Sequence, residues 1–115
     1  MTESEKFPPV HPGKIIQNQF FTPRQLTVEK VAEDLSVPTY QLVDLVEGRR
    51  NIDSDLAYRF GLYFQVGAEG FLNLQKIYDL EVWKDYWAET IKKQVHPCQE
   101  KERPLYDGRK ENFSR

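Results

Sequence analysis

Cysteine is nearly absent from this 115-residue chain: Cys98 is the single one, so no internal disulfide can staple the fold. Long apolar runs are missing as well, and none approaches the roughly 20 residues a membrane-spanning helix needs. The start, Met1–Lys6, is polar and acidic rather than basic and then apolar, the wrong order for a secretion signal. We therefore expect a cytoplasmic chain with no membrane partner. Positive charge is not in excess, since 16 Lys and Arg oppose 18 Asp and Glu for a net charge of −2. A strongly basic balance would have announced nucleic acid, and this one does not. No stretch alternates apolar and polar residues for long, so no sheet is expected. There is no glycine-rich phosphate loop and no Ser/His/Asp set that can be placed. His96 and Cys98 flank Pro97, but two ligands fall short of the four a structural metal site takes. The acid pairs Glu33-Asp34 and Asp53/Asp55 suit helix surfaces and helix starts, where the dipole favours negative charge. We expect no enzyme, no metal and no cofactor.

What is present is helical periodicity. Apolar residues make up 39% of the chain and aromatics 13%, enough for one modest core. An arm over residues 1–10 carries Pro8 and Pro9. A first helix begins at Pro12, a residue suited to the first helical position, with His11 as its cap. Ile15, Ile16 and Phe20 face inward, and Pro23 should stop it. Thr27 caps a second helix, Val28 to Leu35, with Val31, Ala32 and Leu35 on one face. After Ser36-Val37-Pro38 a third helix runs from about Thr39 to Glu47, burying Leu42, Leu45 and Val46, and Gly48 ends it. Asp53 caps a fourth, whose inward face is Leu56, Ala57, Phe60 and Phe64. Gly67 separates a fifth, Ala68 to about Tyr78, with Phe71, Leu72 and Leu74 inside. The pattern resumes after Asp79 to about Lys93. The chain thus divides into an arm (1–10), an all-α domain (11–80), a helical extension (81–95) and a polar tail (96–115).

The second and third helices carry the functional signal. Ala32, Ser36, Leu42 and Leu45 lie at successive offsets of four, six and three. That spacing puts a small residue at a steep helix crossing, a tight turn behind it, and two aliphatics to lock the second helix on the first: a helix-turn-helix. In such a unit the second helix enters the major groove with its N-terminal residues toward the bases. Its outward positions here are Thr39, Tyr40, Gln41, Val43 and Asp44. Gln41 can pair with adenine, Thr39 or Val43 can touch a thymine methyl, and Asp44 can accept from cytosine. Lys30, Arg49, Arg50 and Arg59 are candidate phosphate contacts. Against this, residues 27–50 hold three cations and five carboxylates, a net of −2. One such segment should bind DNA weakly, and a dimer on two half-sites would compensate. On pattern alone, a DNA reader and a three-helix protein-interaction unit both remain open.

Several motifs narrow the choice. They are His11-Pro12-Gly13-Lys14-Ile15; Ala32, Leu35, Val37 and Pro38; Gly48-Arg49-Arg50 with Ile52; Phe71-Leu72-Asn73-Leu74-Gln75; and Tyr78-Asp79-Leu80-Glu81. Through them, residues 11–81 resemble the HigA-type antitoxins, a branch of the Xre-like helix-turn-helix proteins. The resemblance implies a five-helix Xre or lambda-repressor-like domain with a C-terminal helical extension. It implies a cognate toxin similar to the RelE-type mRNA-cleaving enzymes, which the antitoxin binds and silences. It also implies a homodimer that represses its own operon by binding operator DNA. The chain departs from the family where Val28 replaces a glutamine, Thr39 and Gln41 replace arginines, Glu47 replaces an asparagine and Leu72 replaces a tryptophan. Asn73 and Gln75 are expected to bond to buried backbone or to face a partner. Phe71, Leu72, Leu74, Trp83 and Trp87 are the expected dimer or partner interface, aromatics being favoured at such surfaces. The Trp83, Tyr86, Trp87, Ile91 stripe alternatively folds back on the domain's own core.

Overall fold

The computed structural model describes residues 7–99. Expectations for residues 1–6 and for most of the polar tail lie outside the described residues. Five α-helices make up the fold: α1 (Pro12–Ile16), α2 (Val28–Leu35), α3 (Thr39–Val46), α4 (Ser54–Phe64) and α5 (Ala68–Gln94). No strand occurs among the described residues. None of the helices is long and apolar enough to cross a membrane.

Local chemistry sets the helix starts. His11 Nδ1 accepts from the Gly13 N–H at 2.9 Å, Thr27 Oγ1 from Lys30 N–H at 3.0 Å, and Asp53 Oδ1 from Leu56 N–H at 2.9 Å. Pro12 and Gly13 are buried for a steric reason. A Cβ on Gly13 would fall on the Leu45 carbonyl oxygen, so α1 can lie across the end of α3 only with glycine there. The ends of α2, α3 and α4 share one device, a residue in the left-handed region followed by a bond back across the last turn. Gly48 (φ 83) ends α3, with Arg49 N–H donating to Asp44 O at 2.7 Å. Ser36 (φ 61) ends α2 in the same way, and Val37 N–H reaches Ala32 O at 3.1 Å.

One expectation about a helix end needs correcting. Pro23 does not stop the first helix. After Ile16 the chain widens into π-type turns over Gln17–Phe21 and tightens into a 3₁₀ turn over Thr22–Arg24, which holds Pro23 and ends at left-handed Gln25. The wider turns put Phe21 on the face of Ile16, so Phe21 is 1% exposed although an α-period would have turned it away. Gly67 opens α5 as expected, and left-handed Gln65 (φ 59) closes α4 two residues earlier.

The core is one cluster. Ile16 and Phe21 meet Val31, Ala32 and Leu35 of α2, Leu42, Leu45 and Val46 of α3, Leu56, Ala57 and Phe60 of α4, and Phe71 of α5. Aromatic rings dominate one end, where Phe20, Phe60, Phe64 and Phe71 lie 4.9–6.5 Å apart. Arg24 sits over the Phe20 and Phe64 rings at 5.4 and 5.2 Å and closes that end against water. α5 has no break at Asp79 and runs through the expected extension as a single 27-residue helix, because no glycine or proline interrupts it after Gly70. Its buried residues are Phe71 and Gln75, both in the first two turns.

Candidate nucleic-acid interface

α2, the Ser36–Pro38 turn and α3 form the helix-turn-helix. Ala32 (1% exposed) gives α3 room to approach, and Leu42 and Leu45 (both 0%) fix its rotation about its own axis. That rotation decides which side chains point outward. Thr39 and Tyr40 are exposed, Tyr40 at 61%, whereas Gln41, Val43 and Asp44 are half-buried. α3 begins at Pro38, which offers no side-chain cap, so its first amides are left facing outward.

The cations around α3 are not equivalent. Arg49 is clamped. Its Nε and Nη2 donate to Asp44 Oδ1 at 3.2 and 2.8 Å, and its Nη1 donates to Glu47 Oε1. Glu47 first and Asp44 second hold the guanidinium pKa above its usual value. Lys30 pairs with Asp34 at 3.2 Å. Arg50, half-buried on the same loop, makes no ion pair with a described residue. Asp44, expected to accept from cytosine, is thus already an acceptor for Arg49. Arg59 is corrected outright. Its Nη1 donates to the Leu35 carbonyl at 2.8 Å and its Nε to Asp55 at 2.9 Å, so it caps the end of α2 rather than facing a ligand.

The loop that carries Arg49 and Arg50 is pinned to α5. Gln75, 6% exposed, accepts from the Ile52 N–H at 2.8 Å and donates to Asp79 Oδ1 at 3.0 Å. Of the two polar residues in that apolar segment, Gln75 bonds buried backbone and Asn73 is exposed. His11 presses on the same corner, its ring 5.0 Å from Tyr78 in an edge contact. Its Nε2 is enclosed and finds no hydrogen-bond partner among the described residues. Burial lowers the His11 pKa, and the neighbouring Asn51 and Asp79 oppose that shift more weakly.

The expected interface residues separate into two groups. Phe71 lies inside the chain's own core (2% exposed) and is not available to a partner, a correction to its expected role. Leu72 and Leu74 pack partly against that core. Trp83 and Trp87 are 53% and 46% exposed, their rings 5.8 Å apart, and do not fold back on the domain.

Searched against protein-family models, the chain matches none. Virulence-associated protein I of Dichelobacter nodosus is 32% identical over 77 residues, 67% of this chain and 71% of that protein. The Pseudomonas aeruginosa antitoxin HigA, solved with the higBA promoter, superposes with a TM-score of 0.74 at 30% identity, over 78% of this chain and 98% of its own. A HigA-family addiction module antidote protein from Coxiella burnetii superposes with the same TM-score of 0.74 at 29% identity, over 80% of this chain and 100% of its own. The helix-turn-helix geometry, the five-helix order and these likenesses agree, and the chain belongs to the HigA family of helix-turn-helix antitoxins.

Proposed function

We propose that this antitoxin represses its own operon as a homodimer and silences a cognate RelE-like, mRNA-cleaving toxin. The observation that carries the DNA half is α3: exposed Thr39 and Tyr40 at an uncapped N-terminus, with Arg50, a cation paired with no described residue, beyond its far end. Helix N-terminal amides and arginines are both phosphate ligands, and they fix a reading helix in the groove. Thr39, Tyr40 and Gln41 then face base edges, and Val43 reaches a thymine methyl. Lys30 and Arg49 join the phosphate contacts by exchanging a carboxylate for a phosphate, so each contributes less than Arg50. The Pseudomonas aeruginosa relative, solved with promoter DNA, supports this assignment. Trp83 and Trp87 supply the surface for a second copy, and the two α3 helices then meet half-sites about 34 Å apart.

A fluorescence-anisotropy titration with the DNA upstream of the chain's own gene, repeated over a salt series, tests the proposal. Arg50→Ala should weaken all sequences alike and reduce the salt slope by about one. Arg49→Ala should reduce it by less. The five carboxylates against three cations over residues 27–50 favour a second reading, a partner-binding module without DNA recognition. Failure of the wild-type chain to bind that DNA at low salt would leave this second reading standing.

A further inference from the structure

α5 carries two faces. Phe71, Gln75, Tyr78 and Val82, each three or four residues on, point toward the body. On the opposite side run Gly70, Asn73, Ile77, Leu80, Lys84 and Trp87, spaced alternately three and four. That alternation is the spacing of a coiled-coil seam. Ile77, Leu80 and Trp87 are 61%, 56% and 46% exposed, and Gly70, Asn73 and Lys84 are exposed as well. The seam therefore spans both halves of α5 and faces away from the chain's own core. Glycine inside a helix is destabilising relative to alanine. Gly70 has no steric use within the chain, since a Cβ there would meet no atom within 4 Å. What it does is leave open a hollow of about 410 Å³, walled also by Phe20, Gly67 and Leu74.

The seam complements itself in one arrangement. Laid antiparallel on a second copy and centred between Tyr78 and Asp79, it sets Ile77 against the partner's Leu80, Asn73 against the partner's Lys84, and Gly70 against the partner's Trp87. Apolar meets apolar, polar meets polar, and the largest side chain meets the smallest. Sliding the pair by one heptad sets Leu80 against the partner's Lys84, or Asn73 against the partner's Ile77, and either strands a polar group on an aliphatic one. A parallel pair sets Lys84 beside the partner's Lys84, two like charges in one layer. Polar residues within a seam fix orientation and register in this way, at some cost in stability. The missing Cβ of Gly70 and the hollow behind it make room for the partner's indole, and Trp83, its ring 5.8 Å from Trp87, flanks the contact. We propose that α5 pairs with α5 of a second copy as an antiparallel seam centred between Tyr78 and Asp79, the Trp87 of each chain seated over Gly70 of the other. This inference rests on the homodimer reading, to which it adds orientation, register and socket.

The test uses the full chain. With Cys98→Ser removing the exposed native thiol, a nitroxide on Lys92→Cys reports the distance between the two copies by pulsed EPR. Lys92 lies thirteen and a half residues from the proposed centre, so the two labels should stand about 40 Å apart. A parallel pair would hold them about 10 Å apart, the spacing of packed helices. An antiparallel pair slid by one heptad would change the separation by about 10 Å. Either result overturns the proposal. A size swap tests the socket. Gly70→Trp alone and Trp87→Ala alone should each weaken the dimer by about tenfold or more in analytical ultracentrifugation, with helical content unchanged. The double variant should dimerise at least about fivefold more tightly than the two single effects combined predict, because the large and small residues have changed places across one layer. Purely additive losses overturn the Gly70–Trp87 pairing. A wild-type chain that sediments as a monomer removes the homodimer reading itself, whereas a dimer with the wrong label distance removes the seam alone.

Discussion

The near half of α5, Ala68–Asp79, and its far half, Leu80–Gln94, coil alike but touch different things. The near half sends Phe71 (2% exposed) into the core and Gln75 (6%) onto the Ile52 amide, and it rests Tyr78 against His11. Among the described residues the far half buries none, and it exposes Leu80 (56%), Trp83 (53%) and Trp87 (46%). Extending a helix costs far less than starting one, so the anchored half nucleates and the free half follows. Surface pairs such as Lys84–Glu81 and Lys92–Glu89, each three residues apart, add a few tenths of a kcal/mol at most. Regular backbone therefore says nothing about burial. The same helix serves as scaffold at one end and as exposed surface at the other, where two tryptophans share one face.

The widest separation between the halves should come from their aromatics. Phe71→Ala opens a cavity among packed rings and should cost about 3–5 kcal/mol in urea denaturation. Trp83→Ala with Trp87→Ala should change the stability of the dilute monomer by less than about 1 kcal/mol. The same double variant should weaken the dimer by about tenfold or more in analytical ultracentrifugation. Should the tryptophan variant destabilise the monomer as Phe71→Ala does, the far half is part of the body's packing and the two halves are not distinct.

Gln75 sharpens the contrast because it ties the near half to the DNA-facing loop. Gln75→Leu strands the buried Ile52 N–H, which should cost about 1–3 kcal/mol. The loop carrying Arg50 loses its pin, so operator affinity should fall in anisotropy while dimer mass holds. Loss of stability without loss of operator affinity would make Gln75 a packing residue alone.

Much of this architecture follows from neighbours close in sequence. The caps His11, Thr27 and Asp53 and the apolar faces of α2, α3 and α4 depend on bonds and periods a few residues long, which a sequence displays directly. What could not be read depends on distance or on a change of pitch. Arg59 looks like a free surface cation until it meets the Leu35 carbonyl 24 residues away. Tyr63 donates to Asp34 across 29 residues at 2.6 Å, which pushes the tyrosine pKa to about 12. Phe21 reaches the core through π-type turns that a fixed helical period does not foresee. At the candidate interface, the period of α3 predicts five outward residues, of which Thr39 and Tyr40 are exposed and Gln41, Val43 and Asp44 half-buried, and the clamp of Asp44 and Glu47 on Arg49 is a matter of side-chain reach.

His11 is the acid-sensitive contact between α1 and the near half. Its Nδ1 must stay unprotonated to cap Gly13, and burial lowers its pKa below the 6.5 of an unfolded chain. The unfolded state therefore binds the proton more readily. The contribution to stability is whole above pH 6.5, declines as the pH falls below that, and levels off once the folded pKa is passed. Thermal melts from pH 7.5 to 5 should show this slope, and His11→Asn, which keeps a cap without the titration, should flatten it. An unchanged slope in His11→Asn would place the acid sensitivity elsewhere.

The smallest effect should be a gain. Ser36 holds φ 61 at the end of α2, a conformation that costs a residue with a Cβ about 1–2 kcal/mol. Glycine removes that cost but gives back roughly 0.5–1 kcal/mol through the greater freedom of the unfolded chain. The balance favours Ser36→Gly by about 0.5 kcal/mol, a rise in Tm of about 2–4 °C. Because Ser36 lies in the body and far from Trp83 and Trp87, the dimer dissociation constant should not move. A dimer that tightens along with the melting point would mean that the far half of α5 draws on the stability of the body, and that the two regions are coupled through the helix they share.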